Sequence, residues 1–234
     1  MDAIVKYENK DCFDFLKTVE KETVDLVLID PPYDISKTSG FSSGKLKKFN
    51  VYKTEFGEWD YGSVDMEKVV KECFRVLKKS GTFICFYDIW KITELKNYLD
   101  SCKFSQIRFL EWIKTNPVPV NSKVNYLTNS REIALLGVKG SKPTFNSEYD
   151  NGIYKYPICR DKGRFHPTQK PLELIKELIK KHSNKGDLVL DCFCGSGTTA
   201  VASLELERDF YGCELSEEYF KKSQERINGE KIIF

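Results

Sequence analysis

Short runs of apolar residues alternate along this chain with segments in which apolar residues recur every three or four positions. The first pattern predicts buried strands and the second predicts amphipathic helices. Strands are predicted at Ala3–Tyr7, Val24–Ile29, Thr82–Tyr87, Phe104–Ile113, Arg131–Val138, Asp187–Asp191 and Phe210–Glu214. Helices are predicted at Cys12–Thr18, Val64–Lys79, Ile89–Asp100, Pro171–His182, Thr198–Glu207 and Glu217–Ile227. Such alternation is typical of a doubly wound, mostly parallel α/β sheet.

Two stretches interrupt this alternation and are predicted to be long loops. Residues 34–63 are rich in Gly, Ser and Lys, and residues 139–165 combine Gly, Pro and Asn with several basic side chains. Loops of this length in a compact domain are commonly functional or mobile. Elsewhere the boundaries are well marked: Gly81 is predicted to end the second helix, and Ser216 to cap the last one.

Composition excludes several classes of protein. The chain has 234 residues with 37 Lys and Arg against 35 Asp and Glu, so any affinity for nucleic acid must come from a local patch. The first residues have no apolar signal core, and no stretch reaches membrane-spanning length, so we expect a cytoplasmic protein without a membrane partner. Eight cysteines lie in apolar runs without a CxxC pair, which favours packed free thiols over metal ligands.

The most informative segment is Asp30-Pro31-Pro32-Tyr33, directly after the apolar run Val24–Ile29. Two prolines cannot continue a strand, so the acid is held on a stiff turn at the carboxyl end. Ligands of open α/β sheets bind at that end. A carboxylate, a rigid carbonyl and an aromatic ring there could accept hydrogen bonds from a planar amine and stack on its ring. A strand-ending turn with a capping Asp would give the same sequence, and that alternative stays open.

A glycine loop follows the predicted strand Asp187–Asp191. Asp191-Cys192-Phe193-Cys194-Gly195-Ser196-Gly197-Thr198 reads as strand, glycine turn and helix, which suits close approach of a ligand to the backbone. Glu214 ends the next strand, where an acid can accept ribose hydroxyls. Only twenty residues follow Glu214, too few to finish a nucleotide-binding sheet. The remaining strands must therefore come from the N-terminal half, so the fold is predicted to be circularly shifted.

With these segments in this order, the chain resembles the permuted (beta-group) S-adenosylmethionine-dependent DNA amino-methyltransferases over nearly its whole length. Asp30–Tyr33 resembles the catalytic motif of that family, and Asp191–Thr199 resembles its cofactor loop. His166-Pro167-Thr168-Gln169-Lys170-Pro171 resembles a third signature, which holds the methionine end of the cofactor. Further similar segments are Trp112–Pro117 and Arg131–Leu135.

The resemblance implies an α/β methyltransferase fold in circularly permuted form, a metal-free reaction with S-adenosylmethionine, and S-adenosylhomocysteine as the product. It implies one domain, 1–234, with a catalytic half (1–138), a small target-recognition region (139–165) and a cofactor-binding half (166–234). Catalytic residues are then Asp30, Pro31, Pro32 and Tyr33. Cofactor contacts are expected from Asp11, Cys12, Asp30, His166, Thr168, Lys170, Asp191, Phe193, Gly195, Ser196, Gly197, Thr198 and Glu214.

The expected partner is double-stranded DNA. Basic residues of the two loops are predicted to contact its phosphates, although a solvated lysine-rich surface would look the same: Lys45, Lys47, Lys48, Lys142, Arg160 and Arg164. The family includes dimers and enzymes of restriction-modification systems, so the resemblance leaves open a homodimer and a cognate restriction endonuclease that acts separately.

Asp at the first position of the catalytic motif is usual for adenine-N6 enzymes, and we therefore expect methylation of adenine in DNA. A cytosine-N4 enzyme is the nearest alternative. RNA or protein-glutamine methyltransferases, which generally place the glycine loop before the PPY motif, are more distant ones. A DNA-binding protein without catalysis and a dehydrogenase complete the alternatives.

Overall fold

The computed structural model describes residues 3–32, 64–117, 128–159, 164–166 and 168–229. Its strands are β1 (Val5–Asn9), β2 (Val24–Ile29), β3 (Leu77–Tyr87), β4 (Ser105–Lys114), β5 (Arg131–Val138), β6 (Ile153–Tyr156), β7 (Leu188–Asp191) and β8 (Asp209–Glu214). Its helices are α1 (Cys12–Leu16), α2 (Met66–Val76), α3 (Ile92–Ser101), α4 (Leu172–His182), α5 (Thr198–Glu205) and α6 (Glu217–Ile227).

The strands of this described part form one sheet in the order β1-β8-β7-β2-β3-β5-β4-β6. Within the described ranges, β5 alone runs antiparallel to its neighbours, which are β3 and β4. The C-terminal strands β7 and β8 lie between β1 and β2, two strands from the N-terminal half. The predicted mostly parallel, circularly permuted α/β sheet is therefore confirmed.

Both faces of the sheet are covered, which explains why β2 is apolar at nearly every position. Val27 and Ile29 pack into a core with α1, α2 and α3. Leu26 and Leu28 point to the other face and pack into a second core with α4 and α5. Successive side chains of a strand point to opposite faces, so a strand between two helical layers needs apolar residues on both.

The boundary between α2 and β3 differs from the sequence prediction. Helix α2 ends at Val76, and the strand begins at Leu77, which is fully buried and pairs with Val24. Gly81 does not end the helix but lies inside β3, in a bulge between the pairs Val24–Leu77 and Leu26–Thr82. A Cβ there would lie 2.9 Å from Leu77 Cδ2, so the close fold of the bulge explains the glycine.

Strand β6 was also missed, because residues 139–165 were predicted to be a loop. Ile153–Tyr156 pairs in parallel with β4 at the outer edge of the sheet. Tyr154 is buried against α4, and the Tyr156 hydroxyl donates to Glu177 Oε2 at 2.6 Å. Four residues are too few for the alternation to reveal a strand, and long-range contacts define this one.

Candidate active site

The acids that the sequence placed at strand ends lie on one edge of the sheet. Asp30 follows β2, Asp191 ends β7 and Glu214 ends β8, and these strands are parallel neighbours in the order β8-β7-β2. Because β5 runs the opposite way, the start of β5 lies on this same edge, which brings Glu132 next to the end of β3. We call this the carboxyl edge.

A cavity that is open to solvent lies at the carboxyl edge. Nine of its lining residues were predicted from the sequence: Asp30, His166, Thr168, Lys170, Asp191, Phe193, Gly195, Ser196 and Thr198. The segments around Asp30, Lys170 and Asp191 therefore meet in space although they are far apart in the chain. Lining residues that sequence reasoning missed are mainly apolar strand and helix positions: Leu28, Ile29, Phe86, Gln169, Ile175, Cys194 and Thr199. Most of these follow the pattern of ordinary core residues, so no local signal distinguished them.

The glycine loop between β7 and α5 uses its two glycines for different purposes. Gly195 has φ +49°, and Gly197, the residue that precedes α5, has φ +72°. Both values lie in the left-handed region, which favours glycine. The α-carbon of Gly197 faces α6, since a Cβ there would lie 3.1 Å from Ser223 Cβ. Gly195, in contrast, lines the cavity.

Glu214 holds this loop in place. Its Oε2 accepts a hydrogen bond from Gly195 N at 2.8 Å, and its Oε1 accepts one from Ser216 N at 2.9 Å. Burial raises the pKa of the Glu214 carboxyl, while these backbone donors partly offset the effect. Glu214 therefore links the ends of β7 and β8; its predicted contact with a ribose stays a prediction.

His166 packs against the glycine loop from the other side. Its ring lies 4.4 Å, centroid to centroid, from the ring of Tyr219 in an edge-to-face arrangement. Burial, together with the charges of Lys170 and Arg164, lowers the pKa of His166 to about 4. The imidazole is therefore neutral at physiological pH, and its contacts indicate a role in packing the loop.

Asp191 is a buried carboxyl group in the cavity wall. Its Oδ1 accepts a hydrogen bond from Phe193 N at 2.9 Å, which fixes the turn into the glycine loop. Burial raises the pKa of Asp191 to about 7, and the charges of Asp30 and Glu214 act in the same direction. Hydrogen bonds from Thr199 and Phe193 oppose this shift. The charge of this cavity wall consequently changes near neutral pH.

The Lys170 ammonium group lies between two carboxylates. It donates to Asp30 Oδ2 and lies 3.0 Å from Glu132 Oε2. Burial alone would lower the pKa of Lys170, but Asp30 and Glu132 outweigh it and raise that pKa above its usual value. Lys170 is therefore a permanent cation beside Asp30. Sequence reasoning identified Lys170 but not Glu132, whose segment gave no sign of this contact.

Four predicted cofactor residues lie outside the cavity lining: Gly197 and Glu214, which hold the glycine loop, and Asp11 and Cys12 at α1. The Asp11 side chain caps α1, accepting hydrogen bonds from Phe13 N at 2.8 Å and Asp14 N at 3.3 Å. The Cys12 side chain is 7% exposed and packs into the core with α2, where burial raises its pKa to about 12. Any contact between Cys12 and a cofactor would therefore require its backbone.

The remaining predicted residues divide by position. Pro31 and Pro32 complete the turn after Asp30, with Pro31 buried. Arg164 lies beside the cavity and donates from Nε to the His166 carbonyl at 3.2 Å. Five predicted residues lie outside the described part of the chain: Tyr33, Lys45, Lys47, Lys48 and Arg160.

Lys142 lies near the edge of the sheet opposite the carboxyl edge, and therefore far from Asp30. It follows Val138, the last residue of β5. Val138 pairs with Thr82, which lies toward the end of β3 that is away from the carboxyl edge. The backbone contact from Ser80 N to Lys139 O, at 2.6 Å, keeps this segment at that edge. The geometry therefore counts against the predicted contact of Lys142 with DNA bound over Asp30.

Within the described ranges, no group of three or more His, Cys, Asp or Glu side chains could hold a metal ion. The eight cysteines are free, and six of them are buried. Among the same residues, no helix is long and apolar enough to cross a membrane.

Comparisons with known proteins agree with this geometry. A family model described as DNA methylase, for N6 and N4 enzymes, matches residues 24–225. The curated Type II methyltransferase M2.DpnII of Streptococcus pneumoniae is 30% identical over 243 aligned residues, covering 95% of this chain and 89% of that protein.

Two solved structures share the fold. The crystal structure of the M1.HpyAVI–SAM complex superimposes with a TM-score of 0.74 at 24% identity, covering 96% of this chain and 100% of that one. The PvuII DNA methyltransferase, which is cytosine-N4-specific, gives a TM-score of 0.74 at 18% identity, covering 97% of this chain and 87% of that one. The matched family model spans β2 with its Asp30 turn, the glycine loop and most of α6, and the chain therefore belongs to the N6/N4 DNA methylase family.

Proposed function

We propose that this protein transfers a methyl group from S-adenosylmethionine to the exocyclic N6 amine of an adenine that is flipped out of double-stranded DNA. One observation carries the proposal: Asp30, at the end of β2, and the glycine loop after β7 line a single cavity. A group that would hold the target amine therefore lies beside a group that would hold the methyl donor. Membership of the DNA methylase family supports the reaction class.

The cavity suits S-adenosylmethionine, a cation with an amino-acid tail and an adenosine. Apolar walls from Leu28, Ile29 and Phe193 suit the apolar parts of such a ligand, and the Asp191 carboxyl suits its positive charge. Gly195 lets the backbone approach closely, as its φ of +49° and absent side chain allow. When bound, this cofactor supplies an electrophilic methyl group on a sulfonium.

The protein's part in the reaction is positioning. An exocyclic adenine amine is a poor nucleophile because its lone pair is delocalised into the ring. If the Asp30 carboxylate and the Pro31 carbonyl each accept one N–H, the nitrogen becomes more pyramidal and its lone pair turns toward the cavity. Such fixed acceptors act by orientation and electrostatics. The stiff Pro31–Pro32 turn limits the movement of both acceptors.

An adenine amine is inaccessible inside a duplex, so the base must leave the helix, at a cost of a few kcal/mol. Stacking on an aromatic ring is worth about 1–3 kcal/mol per base and would offset part of this cost. Tyr33, which follows the described turn directly, is the residue that we assign to this stacking.

The assignment of adenine rests on Asp30 at the first position of the motif. The fold does not discriminate, since a cytosine-N4-specific enzyme shares it. The names of curated relatives as Type II methyltransferases support a place in a restriction-modification system, with a separate cognate endonuclease. We also propose the cytoplasm as its compartment. A homodimer stays a prediction that light scattering of the purified protein would test.

The deciding experiment is transfer of labelled methyl from S-adenosylmethionine to unmethylated genomic DNA, followed by nucleoside analysis. Label in N6-methyladenine is the expected result. Label in N4-methylcytosine would keep the reaction and overturn the base. Label in RNA or protein, with none in DNA, would overturn the proposed substrate.

A further inference from the structure

Four side chains of alternating charge form a chain of ion pairs that ends on Asp30. Lys114 Nζ lies 2.8 Å from Glu132 Oε1, and Glu132 Oε2 lies 3.0 Å from Lys170 Nζ. Lys170 then donates to Asp30 Oδ2. The Lys170 and Lys114 side chains are only 7% and 13% exposed, so solvent screens these charges weakly.

The sheet fixes the positions of all four residues. Asp30 follows the last residue of β2, Lys114 is the last residue of β4 and Glu132 is the second residue of β5, paired with Trp112. Lys170 precedes Pro171, the N-cap residue of α4, and its Nζ lies 5.0 Å from the centre of the ring of Phe86 in β3. Four neighbouring strands, in the order β2-β3-β5-β4, and the His166–Lys170 segment therefore meet at the carboxyl edge.

Glu132 is held as an anion by both lysines. Burial alone would raise the pKa of its carboxyl, but the charges of Lys170 and Lys114 outweigh burial and keep that pKa below its usual value. The four groups carry two positive and two negative charges, so their sum is zero. The Asp30 and Glu132 side chains are 22% and 29% exposed, so the cluster is partly buried, and removing one partner leaves an uncompensated charge that solvent only partly stabilises.

We propose that Glu132 is a positioning residue for methyl transfer, which acts through Lys170 by sharing its charge with Asp30. This proposal rests on the proposed function, since Asp30 is taken to accept the amine N–H groups. Without Glu132, the full charge of Lys170 would fall on Asp30. The ammonium would then compete with the amine for the carboxylate oxygens and lower their capacity to accept hydrogen bonds. When Glu132 is present, the Lys170 ammonium is attracted to both Glu132 and Asp30, so its interaction with Asp30 is weaker. Lys114 pairs with Glu132 and so limits how strongly Glu132 attracts Lys170.

The test compares three variants in methyl transfer to DNA at saturating cofactor. Glu132→Gln keeps the size of the side chain and its ability to accept hydrogen bonds, but leaves the cluster with one excess positive charge. We expect kcat to fall by about 10 to 100-fold, as for displaced positioning groups, with a KM for S-adenosylmethionine within about twofold of the wild type. Glu207→Gln is the matched control, because Glu207 forms an exposed pair with Lys185 and should leave kcat unchanged.

The double variant Glu132→Gln/Lys114→Met separates the loss of charge sharing from the effect of an uncompensated charge. It removes one negative and one positive charge, so the net charge of the cluster returns to zero, but Lys170 still lacks the Glu132 carboxylate, and we expect kcat to stay within about twofold of the single variant. If Glu132 only balanced the charge of the cluster, which is a merely structural role, the double variant would recover kcat to near the wild type. The double variant leaves no uncompensated charge, so it also serves as the test if the single variant does not fold.

Two results would contradict the proposal: an unchanged kcat in Glu132→Gln, or a double variant in which kcat recovers to near the wild type. Failure of the proposed function is seen separately, in the wild type. A wild-type protein that transfers no methyl group to DNA would overturn that function. An active wild type whose kcat is unchanged in Glu132→Gln would overturn only the charge sharing.

Discussion

The imidazole of His166 lies directly against the backbone of Gly195. A Cβ added to Gly195 would lie 3.2 Å from His166 Nε2 and 3.3 Å from His166 Cε1. Glu214 holds the same glycine from the other side through its hydrogen bond to Gly195 N. The glycine loop is therefore clamped between a neutral ring and a carboxylate, one from the segment before α4 and the other from the end of β8.

We expect Gly195→Ala to weaken binding of S-adenosylmethionine by roughly tenfold, since a left-handed φ costs an L-residue about 1–2 kcal/mol and the loop must move away from His166. Isothermal titration measures the change. Gly186→Ala is the control, because Gly186 also has a positive φ, +80°, but nothing lies within 4 Å of an added Cβ. Equal cofactor affinities in Gly195→Ala and the wild type would contradict the clamp.

Asp30→Ala should reduce methyl transfer by at least about 100-fold, because it removes a fixed acceptor for the target amine. Binding of the cofactor should survive, since Lys170 keeps Glu132 as a partner. Label transfer and cofactor titration of one preparation separate the two effects. Asp14→Ala, at an exposed carboxylate on α1, provides the control. An active Asp30→Ala protein would refute the catalytic assignment.

Affinity for S-adenosylmethionine should rise as the pH increases from about 6 to about 8. The pKa of Asp191 is about 7 in the free protein, so the carboxyl is largely neutral below that pH. A cationic ligand favours the ionised form, so binding below pH 7 releases a proton and strengthens by up to about tenfold per pH unit. Titrations at several pH values measure this slope, and Asp191→Asn should remove it. A wild-type slope that Asp191→Asn retains would exclude Asp191 as its origin.

Without cofactor, a rise in pH acts in the opposite direction through Asp191, because it lowers the free energy of unfolding instead of strengthening an interaction. The folded protein keeps a proton that the unfolded chain loses near pH 3.8. The contribution of this group to the free energy of unfolding is therefore fully present below that pH and is lost as the pH rises through about 7. Urea unfolding of the wild type and Asp191→Asn would show this difference.

Replacing Lys45, Lys47 and Lys48 by Ala should weaken DNA binding and flatten its salt dependence. Each phosphate contact contributes about 0.9 to the slope of log K against log salt concentration, so the slope should fall by up to about 3. Lys142→Ala is the control, since Lys142 lies at the edge of the sheet opposite Asp30. If the salt slope changed in Lys142→Ala and not in the variant that lacks Lys45, Lys47 and Lys48, the assignment of the DNA-binding face would be reversed.

Local sequence signals predicted most of the fold. The predicted strand Arg131–Val138 and the predicted helix Glu217–Ile227 have the same bounds in the structure. The Asp30 turn and the glycine loop were also recognisable, since proline, glycine and a strand-ending acid restrict the chain within a few residues. The DNA methylase assignment that followed from these motifs is confirmed by the family match.

Long-range pairing decided what the sequence could not. Antiparallel pairing of β5 with β3 brings Glu132 to the carboxyl edge, and it carries Lys142 to the opposite one. The apolar pattern of a strand is the same for parallel and antiparallel pairing, so it does not show the direction of the strand in the sheet. The positions of Glu132 and Lys142 were therefore not predictable. The sequence by itself determined the elements and the two motifs that meet at the cavity. Only the tertiary structure decided which charges surround Asp30, because those contacts join residues 18, 38 and 140 positions apart, which no local pattern connects.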